Sequence, residues 1–430
     1  MSSVVEAPTL CPECGATLPV DPGYSPWCDD CGWNVDPYPP PPPEGRLAQR
    51  RDQLGADLDA RLLAVAADSG SDSSSSAAKR AAFTLSIAVH LLTIGLAALA
   101  VEVAVGSTIR GAVRVIVVGI LTLIVISMVP RFRGLPPHTR VVRDVDAPNL
   151  WRLIARVAEA TRSPLPNYVV LSTEYDAWSA IVGLRRRRVL GIGMALWSTI
   201  TPAERVAVLG HELAHGRRGD CRGNLLVQAA GESLRQWGRL LGITTPPGTR
   251  SGHYIMDFGL AEYQATQFIG VALFNVLTIL PRRVFIWWAR ALSIATARAG
   301  QRGEYFADDA AAVAASSKAT LSLLDELYLI DVVQAWEHRL RIQRRAPAWS
   351  DLRATLDAVP PRQVERLRRV GRLRHQRIDA SHPSTAARID VVKARPARAG
   401  TIWLSDGDDA AITAELAAFS APVPRQRRTR

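Results

Sequence analysis

The sequence predicts an α+β, mainly α chain, in which a transmembrane helical hairpin stands between a small cysteine-bearing module and a larger globular domain. Three observations carry this expectation. Two uncharged apolar runs follow one another at about 81–101 and 113–129. Short β-type runs, YVVLS (168–172) and RVLGIG (188–193), are outnumbered by stretches of helical periodicity. Four of the five cysteines form two Cys-x2-Cys pairs before residue 35. With 48% hydrophobic and 21% charged residues, the chain fits neither wholesale disorder nor a purely soluble protein, and its 430 residues suit two or three domains.

At the N-terminus, Cys11-Pro-Glu-Cys14-Gly and Cys28-Asp-Asp-Cys31-Gly present four thiolates on two tight turns. That spacing predicts a structural zinc ribbon over 1–35. MSSVVEAPTLCPEC has no basic stretch leading into an apolar one, so no secretory signal is expected. The N-terminus is therefore expected in the cytoplasm, where thiols stay reduced. The excess of 52 Lys+Arg over 40 Asp+Glu, net +12, fits nucleic acid or an anionic membrane surface. The ribbon segment is acidic (Glu13, Asp21, Asp29, Asp30) and has no flanking basic and aromatic run, which argues against nucleic acid and for a docking or regulatory module with a protein partner. A connector follows over 36–78: the proline run 37–43, an amphipathic helical stripe at about 46–67, and the Ser-rich linker 69–77.

The hairpin region is 79–133. Residues 81–101 are long enough at ~1.5 Å per residue to cross ~30 Å of hydrocarbon. Arg131, Arg133, Arg140 and Arg143 beyond the second run outnumber Arg110 and Arg114 in the loop, so both ends are expected on the cytoplasmic side.

Beyond Asp144, residues 149–161 read as an amphipathic helix with Leu150, Leu153, Ile154 and Val157 on one face. Thr201-Pro202-Ala203-Glu204 supplies an N-cap, a Pro at the first helical position and a capping-box Glu, so a helix starts there. It carries His211-Glu212-Leu213-Ala214-His215. Two histidines one turn apart can reach one zinc ion, and Glu212 beside them is placed to take a proton from a zinc-bound water. A third protein ligand is needed, and Glu304 in Gly303-Glu-Tyr-Phe-Ala-Asp308 is the candidate, heading an alanine-rich helix suited to close packing. Asp308, one turn on, can accept a hydrogen bond from a ligand histidine, with His211 the expected donor. The same pattern also fits a solvated acidic helix start.

In order along 137–395, these motifs resemble the integral-membrane zinc metallopeptidases that include HtpX and the CAAX prenyl endopeptidases. Asp176-Ala-Trp-Ser-Ala180 followed by Gly183 is similar to that family's Asn-Ala-aromatic segment, with Asp in place of Asn. Val208 to His215 with Asp220 matches its zinc helix, Glu304 to Asp308 its third-ligand helix, and His382-Pro-Ser-Thr-Ala-Ala-Arg388-Ile389 its late motif. The resemblance implies a zincin-like metallopeptidase domain of the gluzincin type over 137–398, with a small edge-exposed sheet. It implies zinc held by His211, His215 and Glu304, Glu212 as general base, and an unfolded or membrane polypeptide as substrate. It also implies that strand 188–193 is the edge on which substrate lies extended. His382 alone reads as a surface histidine before a proline; within the family it suggests a place near the site, supporting the oxyanion.

If His215 and Glu304 share one ion, the chain between them crosses the membrane an even number of times. The runs 264–280 and 284–297 are short for spanning, and a hairpin would place Arg282 and Arg283 at an outer tip, against the positive-inside bias. Two segments that lie in the interface or dip into the bilayer are preferred for this insert, with four spans in total the alternative. Cys221 reads as a core or interfacial residue. The basic helix 362–377 fits a solvated face or attraction to anionic lipid, and 399–430 reads as a mobile basic tail. The resulting expectation is a multi-pass membrane zinc endopeptidase of membrane-protein quality control. The alternative is a non-catalytic or latent membrane adaptor that recruits a partner through the ribbon.

Overall fold

The computed structural model describes residues 9–39, 77–217, 224–240, 268–373 and 383–417, apart from positions 20, 22, 107, 131, 133, 137 and 138, together with the isolated positions 45, 49 and 419. The expectations for the helical stripe 46–67, most of the Ser-rich linker, Cys221, residues 264–267, 374–377 and His382 lie outside the described residues.

Two apolar helices, α1 (Ala77–Val105) and α2 (Ala112–Met128), pack against each other. Among the described residues α1 alone is long and apolar enough to cross a membrane; α2 is a shorter apolar helix. Leu91, Ile94, Val101, Val115 and Leu123 are all more than 60% exposed, a band of leucine, isoleucine and valine that water does not favour. The globular part begins with β1 (Arg140–Val142) and α3 (Pro148–Ala160), whose Leu150, Leu153, Ile154 and Val157 are buried. Strands β2 (Tyr168–Ser172), β3 (Ala177–Val182) and β4 (Arg187–Gly193) complete a sheet of order β1-β2-β4-β3. β2 and β4 are parallel, and the two outer pairings are antiparallel.

That order corrects one expectation. The strand expected at the edge, 188–193, is β4, and it lies inside the sheet between β2 and β3. Its burial pattern says why: Val189, Leu190, Gly191, Ile192 and Gly193 are all buried, so both faces and both backbone edges are covered. The edge is β3.

Helix α4 (Met194–Thr199) leads into α5 (Pro202–Arg217), and α6 (Leu225–Leu240) follows. The capping box forms at the start of α5: the Glu204 carboxylate accepts from the Thr201 backbone N–H at 2.7 Å, and the Glu204 N–H donates to the Thr201 hydroxyl at 3.4 Å. Helix α7 then runs unbroken from Phe268 to Ala314, 47 residues. Two separate interfacial segments were expected here, and Glu304 was expected at a helix start. Instead residues 268–280, the run 284–297 and Glu304 belong to one rod, with Pro281, Arg282 and Arg283 inside it. Its middle packs on α1 and α6, where Phe285, Leu292 and Ala295 meet Ala82, Val89, Val227, Ala230 and Leu234.

The C-terminal layer comprises α8 (Ser317–Glu326), a 3-10 turn (Leu327–Leu329), α9 (Ile330–Gln343), α10 (Trp349–Asp357), α11 (Pro361–Leu373), α12 (Thr385–Ala394) and α13 (Asp406–Ala417). Residues 406–417 are no mobile tail. Ile412 and Leu416 are 1% exposed, and the Glu415 carboxylate accepts from the backbone N–H groups of Asn149 (2.9 Å) and Leu150 (3.1 Å), capping α3. The basic face of α11 meets neither water nor lipid alone, because the N-terminal ribbon covers it through Arg362, Arg366 and Arg369.

Candidate metal centres

Small residues bring the central site together. A Cβ on Gly210 of α5 would lie 3.1 Å from Ala311 Cα and from Ala314 Cβ of α7. With Ala307, Ala310, Ala311 and Ala314 buried along the seam, the two helix backbones approach closely. This contact aligns His211 and His215, one turn apart on α5, with Glu304 on α7.

Three donor groups converge. His211 Nε2 and His215 Nε2 are 3.2 Å apart, and the Glu304 carboxylate lies 3.3 Å from the former and 3.8 Å from the latter. Ligands ~2.0–2.1 Å from one tetrahedral zinc are spaced by ~3.3–3.4 Å, so the triangle has the size of a zinc ligand set. Glu304 is fully buried, His211 7% exposed and Asp308 1%. On its other side His211 Nδ1 is 3.0 Å from Asp308 Oδ1, and Asp308 is gripped in turn by Arg388 of α12, Nε at 2.8 Å and Nη2 at 2.6 Å.

Electrostatics agree with the donor chemistry. Burial and the nearby Arg388 push the His211 imidazolium down, yet the hydrogen bonds to Asp308 and Glu304 outweigh them and raise its pKa to about 10. Two buried carboxylates thus flank the imidazole. Asp308 is held down to about 2: burial works against this, and the charge and hydrogen bonds of Arg388 win. Burial pushes Glu212 up to about 8, partly opposed by the charge of His211 and by a hydrogen bond from Ser179. Ser179 lies on β3, so the edge strand runs beside the acid.

The second centre is the ribbon. Its knuckles repeat one design: Cys11 N–H donates to Ala16 O (2.8 Å) and Gly15 N–H to Cys11 O (2.9 Å), while Cys28 N–H donates to Trp33 O (2.9 Å) and Gly32 N–H to Cys28 O (3.1 Å). Gly15 and Gly32 both adopt φ 77°, a conformation that side chains disfavour. Cys11 Sγ lies 3.5 Å from Cys31 Sγ and Cys14 Sγ 3.6 Å from Cys28 Sγ, close to the ~3.8 Å edge of a tetrahedron with ~2.3 Å zinc–sulfur bonds. All four cysteines are free thiols and can hold one metal ion together.

The structure therefore brings together His211, Glu212, His215, Glu304 and Asp308, and separately Cys11, Cys14, Cys28 and Cys31. Two participants carried no assigned role in the sequence reading. Arg388 was visible only as part of the late motif, and Ser179 only as part of a segment not read as a strand.

Comparison with known proteins gives these observations a context. The model of peptidase family M48 matches residues 144–396, which include the whole donor set. A protein described as protease HtpX homolog, from Syntrophobacter fumaroxidans (strain DSM 10017 / MPOB), is 27% identical over 109 residues, 23% of this chain and 37% of that protein. The match thus spans little more than a third of that relative's length. A family match over more than half of the chain, on a domain with an HExxH helix and a converging third carboxylate, places the sequence: the chain belongs to peptidase family M48, a family of metallopeptidases.

Proposed function

We propose that the chain is a membrane-anchored zinc endopeptidase, with its N-terminus and catalytic domain on the cytoplasmic side, acting in membrane-protein quality control. The observation that carries this reading is the donor triangle of His211, His215 and Glu304 with Glu212 beside it. When bound there, zinc supplies the Lewis acidity that polarises a peptide carbonyl and acidifies a water. The chain's own residues do the rest. Glu212 takes up a proton and returns it to the leaving amine. Asp308 holds the proton on His211 Nδ1 and so presents Nε2 as a ligand, while Arg388 keeps Asp308 ionised and fixed. Strand β3 pairs only with β4 among the described residues, which leaves its outer backbone edge for an extended peptide. Recognition through backbone groups makes sequence selectivity loose, as suits an unfolded or membrane polypeptide. His382 is assigned a supporting role beside the developing oxyanion, so His382→Ala lowers turnover with zinc retained; unchanged turnover removes it from the mechanism. The apolar bands of α1 and α2 face the bilayer core, with anionic headgroups beside the arginines that follow them. The ribbon holds a second, structural zinc.

The test compares wild type with Glu212→Gln, purified in detergent, on an unfolded protein, with zinc counted per chain. Cleavage by wild type alone at equal zinc content is expected. No cleavage by either, with both zincs bound, favours a non-catalytic adaptor that recruits a partner through its ribbon, or a latent form awaiting a trigger through it.

A further inference from the structure

The face of α11 is where the N-terminal ribbon meets the C-terminal layer. Arg362 stacks over the Trp27 ring at 4.6 Å, pairs with the Asp29 carboxylate at 2.9 Å and donates to the carbonyls of Pro19 (3.1 Å) and Trp27. Arg369 lies 5.1 Å from the same ring and donates to Asp29 O at 2.7 Å. Arg366 donates to Val35 O (2.9 Å) and Ser25 O (3.3 Å), and the Gln363 amide donates to Asp21 at 2.9 Å. Trp27 is fully buried. Isolated surface ion pairs carry little energy, but this is a network of planar guanidinium groups on one indole and several fixed acceptors.

Most of those acceptors are backbone carbonyls, so they are in place only when the ribbon is folded. The ribbon's own apolar cluster is Cys11, Leu18 and Cys28 with Ala16 and Trp33 against it, too little to fold by burial alone. A module of this size folds when its thiolates take up metal. The docking surface for α11 therefore exists or not according to the state of four cysteines.

On its other side α11 continues toward the hydrolytic centre. Arg368 forks onto Asp325 at 3.0 and 2.9 Å. Gly371 leaves room for the Tyr328 ring, which also packs against Leu324, Ile389 and Val392. Ile389 follows Arg388, the residue that grips Asp308 behind His211.

We propose that the ribbon is a metal-dependent clasp. Loaded with its ion, it docks on Arg362, Arg366 and Arg369 and orders the α11–α12 layer that carries Arg388, so that full turnover requires a loaded ribbon. The docking stands by itself; the effect on turnover rests on the peptidase reading above.

The test uses full-length protein in detergent and reads zinc per chain, amide hydrogen exchange and turnover. In Cys11→Ser/Cys14→Ser one of the two zincs is lost, amides of 361–373 exchange at least ~10-fold faster while those of 148–160 do not, and turnover falls several-fold with the other zinc retained. Arg362→Glu/Arg369→Glu keeps both zincs yet gives the same exchange and the same loss, and Asp29→Arg in the Arg362→Glu background restores part of both. Unchanged exchange over 361–373 in both variants overturns the clasp. Faster exchange with unchanged turnover overturns its link to the site. A wild type that shows the exchange pattern but cleaves nothing removes the peptidase reading and the link with it, and leaves the docking.

Discussion

Replacing Arg388 by Met removes one charge behind the metal centre and keeps most of the volume. In the native protein the Arg388 side chain is 11% exposed and that of Asp308 1%, with two hydrogen bonds of 2.8 and 2.6 Å between them. Solvent screens such a pair little, so the substitution strands a buried carboxylate whose remaining partner is His211 Nδ1. Breaking a buried pair from one side costs ~3–5 kcal/mol. At ~2–4 °C per kcal/mol for a domain of this size, Tm should fall by about 6–20 °C. Asp308 also sets the orientation of a ligand histidine, and loss of such an outer partner weakens metal binding by ~10–100-fold. Calorimetry and chelator competition for zinc, run on the same preparation, measure both effects. Arg388→Lys restores the charge without the fork and should recover only part of each. A Met variant within about 2 °C of wild type in Tm, and within about twofold in zinc affinity, would refute the argument that Arg388 holds the site through Asp308.

Three further outcomes follow from other contacts. Gly210→Val puts a branched side chain where Ala311 Cα and Ala314 Cβ already stand 3.1 Å from a Cβ, and these atoms cannot rotate away; ~1–3 kcal/mol of overpacking and a loss of zinc per chain are expected, and normal zinc content with an unchanged Tm contradicts the seam. Glu415→Ala uncaps α3 and should cost ~1 kcal/mol, and Ile412→Ala ~2–5 kcal/mol, both read by denaturant unfolding; no effect from either returns 406–417 to the status of a loose tail. Burial raises Glu326 from 4.5 to about 7, so its contribution to stability is full below pH 4.5 and lost as pH rises through 7. Glu326→Gln should therefore melt above wild type at alkaline pH and coincide with it in acid; an equal offset at both would contradict the assignment.

What the sequence disclosed follows the range of each interaction. The start of α5 was legible because its capping box is closed by residues three apart, and the histidine pair because a helix turn brings residues four apart together. Glu304 was legible only as a candidate, because the histidine pair calls for a third ligand and its partners lie on another helix; the family resemblance strengthened it. Its setting was misread, because Pro281-Arg282-Arg283 looks like an interruption while packing of Phe285, Leu292 and Ala295 on α1 and α6 carries the helix past it. The edge placement of 188–193 came from the resemblance and not from the run itself. Continuous burial marks β4 as central, but Trp178 and Ser179 in the mixed pattern of β3 hid the edge strand beside it. The arginines of α11 read as a solvated or lipid-facing stripe because their acceptors come from the other end of the chain. Residues 406–417 read as tail because two apolar side chains, Ile412 and Leu416, do most of the anchoring.

The unbroken course of α7 sets a mechanical condition on the protein. At ~1.5 Å per residue its 47 residues make a rod about 70 Å long, more than twice the ~30 Å of a bilayer's hydrocarbon layer. The hydrocarbon layer alone cannot enclose it. Trp288, whose indole N–H donates to Leu85 O of α1, and Glu304 sit on the same rod, about 24 Å apart along its axis. A tilt imposed where the rod is gripped by α1 is therefore a displacement where it meets the histidines. The spacing of the donor triangle is set partly by the apolar bundle far from it, and detergents that loosen that bundle should be judged by the zinc they leave behind.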